Sequence, residues 1–138
     1  MIGLVIVAHG ALAEALLAAT EHVVGPQPNA RTIPIDPSDD LHARQAQIDR
    51  MVEETDTGAG VVLVTDMFGG TPSNLALGSM RGEGIEVICG ANLPLLVKLA
   101  KCRDRPLTEA VSEALSTGHR YMDSAAGILD PDRNRRGG

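Results

Sequence analysis

The chain has 138 residues, 43% of them apolar and 22% charged, with a formal net charge of −6 at pH 7. That length suits one domain with a sizeable core, and the acidic balance, with no basic stripe outside a short C-terminal tail, argues against a nucleic-acid binder. Cys89 and Cys102 have no ligand spacing, no signal-peptide pattern precedes them, and no apolar window reaches membrane-spanning length. Reduced thiols, a cytoplasmic home and no direct membrane insertion are therefore expected.

Gly3 to Ala8 is a continuous apolar run rich in β-branched residues, too short to read as a helix and followed at once by a helical pattern. It reads as the first strand of a parallel sheet, and it delivers His9 and Gly10 to the carboxyl end of that strand. Leu12, Ala15, Leu16, Ala19 and Val23 then recur at helical steps, until Gly25-Pro26 stops the pattern. The run Arg31 to Ile35 predicts a weaker strand that Pro34 confines to a sheet edge or a strand end. Ser38 or Asp39 is the expected N-cap of a second helix, whose apolar face is Leu41, Ile48, Met51 and Val52.

Val61 to Asp66 predicts a further strand, followed by the small-residue loop Met67 to Asn74. In that loop Thr71 is the expected N-cap and Pro72 a first-turn residue of a short helix carrying Leu75, Leu77 and Met80. Ile85 to Cys89 predicts a fourth strand, with Gly90 to Leu93 as its loop at the same edge of the sheet. Pro94 opens a helix through Lys101, and a last helix spans Pro106 to Thr117 and stops at Gly118. Residues 119–129 form a further strand or an ordered arm. The domain is expected over residues 1–125, with 126–138 as a mobile C-terminal tail. The alternation gives an α/β fold: a three-layer sandwich with a central, mostly parallel four-stranded sheet and helices on both faces.

Parallel strands put their carboxyl ends on one side, so His9 and Asp66 meet if their strands are neighbours. A histidine that carries a phosphoryl group needs one free ring nitrogen as nucleophile and an acceptor holding the other, and Asp66 is the candidate acceptor. The amides of Gly10, Gly70 and Thr71, with the Thr71 hydroxyl, are candidate donors to phosphoryl oxygens. The duller reading is a structural histidine, with Asp66 capping a turn that Gly69-Gly70 bend. Phe68, one of only two aromatic residues with Tyr121, is either a plug beneath its loop or an exposed contact for a partner. His22, His42 and His119 read as surface residues.

The pairing of VAHG near the N-terminus with VTDMFGGTPSN resembles the IIA component of the mannose-family sugar phosphotransferase system, over nearly the whole chain. The resemblance implies that His9 accepts phosphate from a histidine phosphocarrier protein of the HPr type and gives it to a IIB component. It further implies that Asp66 orients the ring and that Thr71 bonds the phosphoryl group; no metal or other cofactor is expected. A homodimer exchanging a C-terminal strand, within residues 119–129, is also implied. Phe68 stands where the family is associated with a larger aromatic, and Phe68 and Leu93 are the expected docking residues. No IIB domain follows the IIA length, so the acceptor is expected on a separate chain. Two alternatives stay open: a small chelatase inserting metal into a tetrapyrrole, which needs a second facing histidine, and a regulatory module switched by phosphorylation of His9. A histidine phosphatase is disfavoured, because the arginine it needs before the histidine is Ala8.

Overall fold

Four strands pair in parallel in a computed structural model that describes residues 1–133: β1 (Gly3–His9), β2 (Ala30–Ile35), β3 (Val61–Thr65) and β4 (Ile85–Cys89), in the order β2-β1-β3-β4. Six helices connect or follow them: α1 (Leu12–Val24), α2 (Leu41–Thr55), α3 (Thr71–Gly78), α4 (Leu93–Lys101), α5 (Leu107–Arg120) and α6 (Ala125–Leu129). Pro34 lies in β2, which is an edge strand as its missing N–H requires. The central strands β1 and β3 are buried on both faces, which is why they read as unbroken apolar runs.

Alternation along the strands divides the core into two layers. Leu4, Ile6, Val62 and Val64 pack toward Leu95, Leu96 and Leu99 of α4 and the apolar faces of α1 and α5. Val5, Val7, Ile33 and Leu63 pack toward Ile48 of α2 and Leu75 of α3. Each fully buried Val, Leu or Ile contributes about 1.5–3 kcal/mol. The three-layer α/β sandwich expected from the sequence is therefore present.

Two close contacts lock the sheet to its surroundings. Gly3 passes so near the end of α2 that a Cβ there would lie 2.6 Å from the Thr55 carbonyl oxygen. Arg103, buried after α4, donates from Nε to the Ile2 carbonyl at 2.8 Å and from a terminal nitrogen to the Asn29 carbonyl at 2.8 Å, tying the starts of β1 and β2 together.

Several local expectations are corrected. Thr20 and Ala13 are the buried residues of α1, with Leu16 and Leu17 packed against the core, whereas Leu12, Ala15 and Val23 are exposed. The helix is thus turned away from the anticipated stripe, which small residues at Ala13 and Thr20 permit by letting it approach the sheet. Asp40, not Ser38 or Asp39, caps α2, accepting from the amides of His42 and Ala43. Asp39 instead accepts from the Asp36 amide and from Arg44. Gly118 does not stop α5. It is a buried helical residue against α4, where a Cβ would lie 3.1 Å from that of Leu95, and its carbonyl accepts from Asn92.

The additional strand expected over residues 119–129 is absent from the described residues. α5 ends at Arg120, and Ser124 caps α6 by accepting from the Gly127 amide. Ala125 and Ala126 favour helix over strand, and an isolated extended segment has no ladder to join within its own chain. Residues 134–138 of the expected tail lie outside the described residues.

Candidate functional site

β1 pairs with β3 so that Val7 stands opposite Thr65, which brings the residues just beyond, His9 and Asp66, to one rim of the sheet. Asp66 Oδ2 lies 2.6 Å from His9 Nδ1 and accepts the His9 backbone N–H at 3.1 Å. Asp66 Oδ1 accepts the Met67 amide at 3.1 Å, so both oxygens are engaged. The Asp66 side chain is 12% exposed and that of His9 is 51% exposed, so the carboxylate is sheltered and the ring is reachable.

Burial alone raises the pKa of Asp66, but hydrogen bonds from the His9 ring and backbone and the attraction of the ring outweigh it, leaving the carboxyl below its ordinary value of 3.8. At neutral pH it is ionised and can only accept. The proton of the contact therefore belongs to Nδ1, and in the neutral ring the lone pair belongs to Nε2.

The Nε2 side of the ring faces the loop before α3. A Cβ on Gly70 would lie 3.1 Å from His9 Cε1 and 3.5 Å from Nε2, so a glycine is what lets the loop meet the ring. Gly70 is the N-cap of α3, Thr71 its first residue and Pro72 the second. This corrects Thr71 as the N-cap. The first turn leaves the N–H groups of Gly70, Thr71 and Ser73 without intrahelical acceptors. Ser73, which sequence reasoning passed over, is buried; its hydroxyl accepts the Gly69 amide and donates to the Gly70 carbonyl, both at 2.9 Å, pinning the turn. The only hint of it was a serine three residues after Gly70.

A sequence profile described as "PTS system fructose IIA component", of the EIIA-man type, matches residues 3–116. The chain belongs to this family. The mannose-specific EIIAB component of the phosphotransferase system of Escherichia coli K12 is 34% identical over 120 residues, which are 85% of this chain and 37% of that protein. The chain thus spans little more than a third of that relative's length. The sorbose-specific EIIA component of Lacticaseibacillus casei is 26% identical over 125 residues, covering 88% of each. A solved mannose/sorbose-specific IIA subunit from Enterococcus faecalis superposes with a TM-score of 0.80 at 25% identity, covering 89% of this chain and 93% of that one.

Of the candidate residues in this IIA component, His9 and Asp66 come together in direct contact, with Gly70 beside the ring and Thr71 adjacent in the first turn of α3. Gly10 departs from expectation. Its backbone has a positive φ of 54°, and its amide donates to the Ile35 carbonyl at 3.0 Å, so it is not free for a phosphoryl oxygen. The β1–β2 ladder extends to the pair of His9 with Ile35, and the next amide simply continues it. Phe68 is 73% exposed on the site loop, which excludes its role as a plug. Leu93 is half-buried at the start of α4 and lines a groove between helices. His22, His42 and His119 are exposed on α1, α2 and α5, none at a strand end. No helix among the described residues is long and apolar enough to cross a membrane.

Proposed function

We propose that this IIA component is a phosphocarrier whose His9 Nε2 accepts a phosphoryl group from an HPr-like histidine phosphocarrier protein and delivers it to a IIB component in the cytoplasm. The observation that carries this reading is the 2.6 Å contact of Asp66 with Nδ1, which leaves Nε2 as the nucleophile. The Nε2 lone pair attacks phosphorus, the P–N bond of the donor phosphohistidine breaks, and its electron pair returns to the donor ring. The proton on Nδ1 stays in its hydrogen bond, and the negative Asp66 stabilises the cationic ring that forms.

The amides of Gly70 and Thr71, with the Thr71 hydroxyl, are the donors for the phosphoryl oxygens at the positive end of α3. No lysine or arginine occurs in residues 66–74, so the group is held by neutral donors and can be passed on. Exposed Phe68, with Leu93 at the same edge, offers apolar contact to a docking protein that excludes water from the labile P–N bond. A homodimer belongs to the same reading: among the described residues β4 pairs only with β3, and Met122, Ile128 and Leu129 are exposed for a second copy to cover.

The test is incubation with the phosphorylated carrier protein, followed by mapping of acid-labile label. Label on His9 that is lost in His9→Ala supports the reading. Equal incorporation by His9→Ala defeats it.

A further inference from the structure

The chain has only two lysines, Lys98 and Lys101, and both line one groove of about 460 Å³, with Arg120 at the end of α5. Val23, Leu93, Pro94, Val97 and Tyr121 supply its apolar lining, Val23 and Tyr121 as exposed side chains. The hydrogen bond from Asn92 to the Gly118 carbonyl sets the start of α4 beside the end of α5, so Arg120 and Tyr121 stand near Leu93 and Pro94. Lys101 lies eight residues along α4 from Leu93, about 12 Å at 1.5 Å per residue. Cations therefore mark both ends of the groove, with Lys98 between them.

In an acidic chain, this concentration of positive charge along an apolar-lined groove sets it apart. Glu113 approaches Lys98 at 3.8 Å, an exposed pair of little strength, and no carboxylate among the described residues pairs with Lys101 or Arg120. A small anion with a single charged head would engage one end and leave the other unmatched. An anionic membrane surface would be met by a broad apolar face, whereas the apolar lining here is a few side chains along one groove. A peptide segment with acidic residues at its flanks and apolar residues between them matches both the charge spacing and the apolar lining.

We propose that the groove between α1, α4 and α5 docks an acidic, apolar-anchored peptide segment of a partner protein. Leu93 also belongs to the edge proposed for phosphoryl-transfer docking, but the cations do not, and neither His9 nor its phosphorylation is needed here, so the two proposals fail separately.

The test is fluorescence anisotropy with the full chain and two labelled peptides, one repeating Glu-Leu-Leu-Glu and the other Lys-Leu-Leu-Lys. The acidic peptide is expected to bind, to weaken on the order of tenfold or more in the double variant Lys98→Glu/Lys101→Glu, and to perturb the amide resonances of Val97 and Tyr121. The basic peptide is expected to bind the double variant better than the wild type, an exchange that a misfolded variant would not produce. No acidic-peptide binding up to about 1 mM, or binding indifferent to the double variant, overturns the proposal. So does saturation of the same resonances by inorganic phosphate or octanoate, or by anionic phosphatidylglycerol vesicles where the peptide gives none. A change of oligomeric state in Val97→Glu, measured by sedimentation, without peptide binding by the wild type would assign the groove to a second copy instead.

Discussion

Gly70 leaves little room for a side chain beside the nucleophilic side of the His9 imidazole: a Cβ at that position would lie 3.1 Å from Cε1 and 3.5 Å from Nε2. Its φ of −95° is one that any residue adopts, so substitution introduces a steric conflict at the ring without backbone strain. Gly70→Ala is expected to fold with nearly wild-type stability. Phosphoryl transfer should slow on the order of 10–100-fold, because the ring or the amide donors must shift. Rapid-quench labelling alongside thermal unfolding separates the two effects, and a wild-type rate would contradict the assignment of this face to the incoming phosphorus.

Asp66→Asn retains size but loses the acceptor-only character that places the proton on Nδ1. Transfer is expected to fall on the order of 10²–10⁴-fold, measured as the initial rate of labelling from the phosphorylated carrier. An unchanged rate would show that ring orientation does not depend on the carboxylate.

The same variant reports the linkage of Asp66 to stability. Because the folded carboxyl lies below 3.8, the native state favours its ionised form. The resulting stabilisation is complete above the ordinary carboxylate value and is lost as pH falls through the lowered one. Urea unfolding of wild type and Asp66→Asn should therefore differ most at neutral pH and converge as the pH falls below the ordinary carboxylate value. A gap that stays constant with pH would mean that the charge contributes nothing.

Gly3 meets Thr55 with no room for a methyl group: a Cβ would stand 2.6 Å from the carbonyl oxygen and 2.8 Å from the Thr55 Cβ. Both obstacles are fixed by the backbone of α2. Gly3→Ala should lower the urea midpoint by the equivalent of about 1–3 kcal/mol with little change in the denaturant slope.

Arg103 is 3% exposed, and burial lowers its pKa, with Asp104 acting in the opposite direction. Its guanidinium serves the Ile2 and Asn29 carbonyls and, at 3.2 Å, Gln27 Oε1. Arg103→Met leaves these acceptors without their donor and should destabilise by on the order of 3 kcal/mol. Arg103→Lys should recover only part of that loss, since one ammonium cannot reproduce the planar fork. Equilibrium unfolding of both variants is the measurement.

The meeting of His9 with Asp66 was legible in the sequence because both follow strongly apolar runs, and a parallel sheet delivers every strand's carboxyl end to one edge. Pro34 announced its edge strand for an equally local reason. Other features depend on partners distant in sequence. Gly10 looked like a phosphate donor until β2 was found to claim its amide through Ile35. Gly118 looked like a helix stop, because a glycine buried against Leu95 is written no differently from one that ends a helix. The rotation of α1 onto Ala13 and Thr20 was hidden behind larger apolar residues that compete for the same stripe. Arg103 gave no local signal, since its three acceptors lie 74 to 101 residues away.

Phosphoryl transfer by this chain depends on Asp66 holding Nδ1 and so reserving Nε2 of His9 for phosphorus. Long-range ¹H–¹⁵N correlation spectra of the ¹⁵N-labelled protein, recorded before and after phosphorylation by the carrier, test it most directly. Phosphorus coupled to Nε2 of His9, with Nδ1 still protonated, is the expected result. Phosphorus on Nδ1, or on any other residue, would contradict it.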